Sequence, residues 1–558
     1  MHGGLRKWGA ASATAVLLFA LAGCGGSSAG TAATTSGGST AATTTPKSTA
    51  ATQSAAGTPV KGGTLTIAFS QEPDTLDVAK TGLTAVGQIM RNVMDTLVWL
   101  APDGKFYPDL AKSWTISQDG LTYTFQLRQD VKFSDGTPFD AAAAKANFDY
   151  VQNPATKSLG TLQGLGPFEG ASTSGQYTLV LKLKSPYAPL LTSLAGFGFQ
   201  SPTAMQKEGD QYGLKPVGTG PYMVQQFVPN SEVVLVKNPD YNWAPVPRDP
   251  HGAAYLDKIV YQIQLDGQTR IDSLQSGQAQ IAEGAPALSY KTLTASGSQF
   301  VGLVAPISGA GEYAVINNSK FPTNDVNVRK AILYSIDRSG LNQLADQNVY
   351  PLLWGPLQPG TLGYDPEFTQ NKTYAYDPAK ATQILTADGW AKDSSGTWAK
   401  NGQQLALVIT HIGVGDLPLE AQGMQSYLQK AGMKVTIKEY ADDAWHAANV
   451  SGVENITPLE FSSLDPDLLR IEFTPGQYFN WSKYNNPAFT KIVTQAESET
   501  DPAKRLQEYN QAQQTLMNDA AMIPEHENDD LLILSPKVKG ITVLPGGTLD
   551  LYSAYVAQ

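Results

Sequence analysis

The sequence predicts a mixed α/β protein of two or three globular units behind a short apolar leader, and three observations carry this reading. Its 558 residues exceed what one hydrophobic core usually serves, and 42% apolar with 9% aromatic residues suffice for a sizeable interior. Apolar and polar residues alternate over short runs through the first two hundred residues, the mark of half-buried strands. Helices with start and stop signals are mixed among such runs, and helix-to-strand steps are typical of α/β units.

The chain opens with Arg6 and Lys7, then the apolar "ATAVLLFALA", then small residues, the pattern of an export signal over residues 1–23. That apolar run is too short to span a bilayer permanently, and no later segment approaches a membrane span. Cys24 is the single cysteine and directly follows Leu21, Ala22 and Gly23. "LAGC" resembles the bacterial lipobox, which implies a lipid on Cys24 and a new N-terminus there. One thiol in an exported chain has no internal disulfide to make, so a free structural cysteine is the alternative. Residues 24–61 are Gly, Ser, Thr and Ala with almost nothing to bury, and Lys47 is the lone charge before Lys61. They read as a flexible tether with a reach of roughly 30 to 35 Å.

From Gly62 the composition is globular. "GTLTIAF" alternates Leu65, Ile67 and Phe69, and "LTYTFQLR" alternates Leu121, Tyr123, Phe125 and Leu127; "YTLVLKLK" and "KIVYQIQL" repeat the pattern. "NVRKAILYSIDR" puts Val328, Ile332 and Ile336 on one helical stripe. In "YDPAKATQILTADGW", Asp377 caps, Pro378 takes the first helical position and Gly389 ends the helix. Asp501 and Pro502 repeat the device ahead of a face made by Leu506, Tyr509 and Leu516. "MQSYLQKAGMKVTIKEY" reads as a helix stopped at Gly432 and a strand through Val435 and Ile437.

The formal charge of -11 becomes two units more negative if Arg6 and Lys7 leave with the leader, which disfavours nucleic acid or an anionic membrane surface as partner. No G-x-S-x-G elbow or catalytic cysteine is present, so nucleophilic hydrolysis lacks its nucleophile. His2, His251, His411, His446 and His526 stand in no metal-ligand spacing and read as surface or packed residues. "GTGPY" at 218–222 lacks the lysine of a phosphate loop and reads as a tight turn, so neither a nucleotide cofactor nor a resident metal is expected. "LEFSSLDPD" at 459–467 offers Asp465 and Asp467 as a carboxylate pair for acid/base work. The competing reading is a helix start with Asp465 as cap and Pro466 as first residue.

Eight blocks stand in the order of one known family, from about Gly62 to about Ile541. "KGGTLTIAFSQEPDTLD" comes first. The long block from "LVWLAPDGKFYPDLAKSW" to the F-x-D-G-x-P turn at Phe133, Asp135, Gly136 and Pro138 follows. Then come "VGTGPYMVQQF", "KNPDYN", "RIDSLQSGQAQIA", "NVRKAILYSIDR", "YDPAKATQIL" and "NWSKYNNPAFTKIV". Together they resemble the family 5 extracellular solute-binding proteins of ABC importers, whose members include dipeptide, oligopeptide and nickel binders. The resemblance implies a two-lobed, type II periplasmic-binding-protein-like α/β fold of the large class, with the ligand cleft between lobes joined by a hinge. Lobe 1 would span 62–311 with a subdomain inserted at about 100–210, lobe 2 would span 312–525, and 526–558 would return to lobe 1. It further implies a monomer anchored outside the cytoplasm through Cys24, binding a small-molecule or peptide ligand and serving ABC permease subunits without catalysis of its own.

Cleft candidates also come from the resemblance. Ser70, Gln71 and Glu72 follow the first strand, where peptide-binding relatives touch ligand. Phe461, Ser462, Ser463 and Asp465 form the second place. In peptide binders that stretch reads like A-D-Y-P-D-P, and its first aspartate pairs with the ligand's ammonium. Ser462 stands at that aspartate's position here, so a free peptide amine is less expected unless Glu72, Asp465 or another carboxylate substitutes. Sparse histidines disfavour nickel. Tyr313, Trp354, Phe461 and Trp481 are aromatic candidates for lining a pocket for a peptide-like solute, a sugar or an apolar solute, with core packing as the alternative for each. Two other readings stay open: an exported hydrolase using cleft carboxylates, and a surface receptor or chaperone of the same fold without a transporter.

Overall fold

A computed structural model describes residues 58–413 and 417–558. The expected leader, Cys24 and the expected tether as far as residue 57 lie outside the described residues, which themselves form one compact unit. The alternating segments are strands where the sequence places them: Thr64–Phe69, Thr122–Leu127, Thr178–Leu183 and Lys258–Ile263. Leu65, Ile67 and Phe69 are buried on one side of the first strand, as the two-residue period requires.

Two sheets organise the chain. The first has seven strands in the order Val301–Pro306, Asp529–Leu534, Ile281–Ala282, Thr64–Phe69, Lys258–Ile263, Glu232–Lys237 and Tyr222–Val228. The second has five, in the order Lys434–Tyr440, Ala406–Ile412, Ile456–Ser462, Gly309–Ile316 and Met522–His526. Each sheet seats its own buried cluster, one drawn from residues 65–305 and 532–554, the other from 310–523. The result is a two-lobed α/β fold. The chain leaves the first sheet at residues 307–308 and returns at 527–528, so both crossings are two residues long.

A four-stranded antiparallel sheet, Ala111–Ile116, Thr122–Leu127, Thr178–Leu183 and Phe168–Thr173, is inserted within the first half. Its diagnostic turn forms as expected: the Asp135 carboxylate accepts the Thr137 N–H at 2.9 Å, and Gly136 takes φ +87°. "GTGPY" is a close-packed turn, because a Cβ on Gly218 or Gly220 would lie 2.2 or 2.6 Å from the Val93 backbone.

Helix starts follow their caps. Asp377 accepts the Lys380 N–H ahead of Pro378–Ala387, and Asp501 accepts the Lys504 N–H ahead of Pro502–Asn518. Val328, Ile332 and Ile336 are fully buried. The face expected on Pro502–Asn518 is only partly inward: Tyr509 and Leu516 are buried, whereas Leu506 is 45% exposed and borders a surface cavity beside the inserted sheet.

Candidate functional site

Two cavities meet where the chain crosses between sheets. One, of about 350 Å³, lies on the first half. It is bounded by Ser70, Gln71, the start of Thr84–Met90, the loop 283–287 and Asp529 to Leu531. The other, of about 420 Å³, lies on the second half, between the Gly309–Ile316 and Ile456–Ser462 strands and the helices Leu417–Lys430 and Asp442–Ser451. Asp346, Tyr350 and Asn528 line both, so the two are halves of one cleft. Asn528 itself sits in the returning crossing.

The second cavity has one acidic and one aromatic wall. The acidic wall begins at a β-bulge: register shifts between Gly309 and Glu312 against one neighbour, and between Glu312 and Tyr313 against the other. Such a bulge re-aims the side chains beside it. Glu312 lines the cavity, while Tyr313 is fully buried in the core and donates its hydroxyl to Glu472. The Asn528 side-chain amide donates to Glu312 Oε1 at 3.2 Å and to Glu460 Oε2. Burial first, then the Glu420 and Glu460 charges, hold the Glu312 carboxyl well above the usual range.

His526 closes this wall. Its Nε2 lies 3.1 Å from Asp346 Oδ2 and 3.5 Å from Glu420 Oε1, and its ring stacks on Tyr350 at 5.4 Å between centroids. Burial alone would lower the imidazole's pKa, but the Asp346 and Glu420 carboxylates raise it well above the ordinary value. The three donors lie within 4.8 Å of one another, a geometry that would suit a metal ion, yet the contacts are those of an imidazolium between two carboxylates. Trp445, Phe461, Phe479 and Trp481 line the same cavity, with Trp445 and Trp481 edge-to-face at 4.9 Å and Phe461 and Phe479 at 5.3 Å.

On the first half, Ser70 donates its N–H to Glu283 Oε2 at 2.8 Å, and Gly284 donates to Asp530 Oδ1 at 3.1 Å. Burial, then the neighbouring Glu283, hold the Asp530 carboxyl well above its usual range, while burial pushes Asp529 up to about 6.

Of the residues expected from the sequence, Ser70, Gln71, Phe461 and Trp481 line the cleft. The rest stand elsewhere. Glu72 accepts the Asn230 N–H at 2.8 Å, and Trp354 lies against the Arg338 guanidinium, 4.3 Å from its ring centroid. Ser462 is exposed opposite Gly309, and the Ser463 hydroxyl donates to the Asp465 carbonyl. Asp465 is held by Arg505 and Asp467 by Arg470, each through two nitrogens. The two carboxylates are therefore pinned separately instead of facing a shared substrate. The Leu468–Phe473 helix starts at Leu468, with Asp465 Oδ1 accepting the Asp467 N–H one turn earlier.

Sequence reading missed Glu312, Asp346, Glu420, Glu460 and the pair Asp529 and Asp530, and it took His526 for an ordinary packed residue. One signal was present: "EHENDD" at 525–530 is a polar run between two apolar stretches, and most of it is buried.

A two-lobed α/β chain with a lined cleft at its paired crossings has the architecture of a solute-binding protein. The chain belongs to the bacterial extracellular solute-binding proteins, family 5, whose middle-region model matches residues 105–467. It is 28% identical over 502 residues to the glutathione-binding protein GsiB of Shigella flexneri, covering 86% of this chain and 92% of that one. Among solved structures it resembles NikA from Brucella suis in complex with Fe(III)-EDTA, at 25% identity and a TM-score of 0.75 over 88% of this chain and 99% of that one. The fold is likewise shared with HbpA2 from Haemophilus parasuis, at 22% identity and a TM-score of 0.78 over 89% of this chain and 100% of that one. Family 5 proteins of this kind are extracytoplasmic, and no helix among the described residues is long and apolar enough to cross a membrane.

Proposed function

We propose that this chain is the lipid-anchored receptor of an ABC importer, tethered through Cys24, which captures a peptide or peptide-like solute in the cleft and passes it to permease subunits. The observation that carries this reading is the joining of two lined cavities at the crossings 307–308 and 527–528. Those crossings are the hinge: a solute that touches both halves favours the arrangement in which both sets of contacts are made. GsiB, by its name a glutathione binder, supports a small peptide-like ligand.

The receptor performs no chemistry on the solute. The placement of Asp465 and Asp467 supports this, since the carboxylate pair that the sequence offers for acid/base work is pinned separately by arginines and does not line the cleft. The test is incubation with a defined mixture of short peptides and sugars, followed by melting and by mass analysis of the mixture. A bound solute raises the melting temperature and is recovered intact. Recovery of cleaved products would establish the hydrolase instead.

A further inference from the structure

We infer that the cleft takes a small organic solute bearing two cationic groups, an ammonium or guanidinium against Glu312 and Glu460 and a second against Asp529 and Asp530. This names the ligand class of the receptor reading and rests on it. The basis is a charge imbalance across the cleft. Glu312, Asp346, Glu420 and Glu460 line the second cavity, and Glu283, Asp529 and Asp530 join Asp346 on the first, whereas among the described residues no lysine or arginine lines either.

Partners within the protein do not balance these charges. His526 serves Asp346 and Glu420; a single amide, Asn528, serves both Glu312 and Glu460; backbone N–H groups serve Glu283 and Asp530. Arg270, the guanidinium beside Glu283 and Asp530, is spent on the carbonyls of Gln264, Leu265, Glu283 and Gly284. Buried oxygens without a hydrogen-bond partner remain in both cavities. Glu312 Oε2 and Glu420 Oε2 stand in the second and Asp529 Oδ1 in the first, where the Asp530 carboxyl sits against that of Glu283. Glu420 is only 2% exposed and Asp529 5%, so water does not serve them freely.

Burial disfavours ionisation of the Glu312 and Asp530 carboxyls, and a cation entering the cleft supplies the counter-charge that lets them ionise. Two groups of unserved oxygens, one in each cavity, call for two positive charges on one solute. The aromatic lining of Phe461, Phe479 and Trp481 suits the same solute, since aromatic faces attract cations and cover the alkyl stems that carry them. A basic peptide and a polyamine share this chemistry, and the probes separate them.

The test is calorimetric titration of the full chain with Arg-Phe-Ala, Ala-Phe-Ala, Glu-Phe-Ala, spermidine and nickel chloride. Arg-Phe-Ala or spermidine is expected to bind at least about tenfold tighter than Ala-Phe-Ala, with Glu-Phe-Ala weakest. Which of the first two wins assigns the source of the charges. Glu460→Gln, on an exposed residue that leaves the fold intact, is expected to weaken the winning probe about tenfold, and Asp529→Asn likewise from the other cavity. Equal or tighter binding of Glu-Phe-Ala overturns the inference while leaving the receptor reading in place. So does nickel alone binding and displacing the organic probes. Cleavage of the peptides would instead overturn the receptor reading itself.

Discussion

Asp465 takes both terminal nitrogens of Arg505, at 3.0 and 2.6 Å, and the same carboxylate accepts the Thr192 hydroxyl at 3.2 Å from just beyond the inserted sheet. Ala188 adds a second link across this contact, its N–H donating to the Glu497 carbonyl at 2.8 Å. Asp465 thus joins the two halves at a point away from the cleft. Asp465→Asn leaves Arg505 nearly buried without its charge partner and is expected to cost about 3 to 5 kcal/mol. Urea denaturation of the full chain measures it. Asp465→Leu with Arg505→Leu is expected to recover most of the loss, because the orphaned charge is then gone.

The Tyr313–Glu472 pair sets a pH dependence. Burial pushes the Glu472 carboxyl up to about 8, so the folded state keeps a proton that the unfolded state releases in the ordinary carboxylate range. The stabilisation is complete below that range and is lost as pH rises through about 8. Glu454, held up to about 7, and Glu527, held up to about 8, act with the same sign. The melting temperature is expected to fall between pH 6 and pH 8.5, and Glu472→Gln to flatten part of that slope while keeping an acceptor for Tyr313. An unchanged slope in the variant would remove Glu472 as a source.

Gly311 makes the bulge that turns Glu312 into the cleft. Its φ is +68°, and a Cβ there would lie 2.4 Å from Leu353 Cδ1 and 2.8 Å from the His526 carbonyl oxygen. Gly311→Ala is expected to cost more than about 1 kcal/mol, since both conformation and space oppose the methyl group. Its stability loss should come with weaker solute binding, because relieving the clash moves Glu312 and His526.

Cys24→Ser is expected to release the protein from membranes without changing solute affinity, as fractionation and titration of the same preparation would show. Altered affinity would mean that the tether does more than anchor.

The sequence made the scaffold legible because its signals are local. Alternation at Leu65 to Phe69 and caps at Asp377 and Asp501 depend only on near neighbours, and each forms as read. The cleft was legible only in part. Ser70, Gln71, Phe461 and Trp481 were reachable by resemblance, but Asp346, Glu420 and His526 come together only through three separate elements: the end of Arg338–Asp346, the first turn of Leu417–Lys430 and the strand Met522–His526. Tyr313 was read into the cleft and Glu312 was not, because a bulge one residue away decides which side chain faces it. At the same end of this pairing between Gly309–Ile316 and Ile456–Ser462, the resemblance points to Ser462, opposite Gly309, whereas Glu460, two residues earlier and opposite Glu312, carries the cavity carboxylate.

Native mass spectrometry of the full chain as purified, before and after mild denaturation, tests solute capture in this cleft most directly. The expected result is a small solute held one to one by the folded protein, released on unfolding, and diminished or absent in Glu312→Gln. A solute retained undiminished in that variant would contradict the account by placing capture elsewhere on the chain.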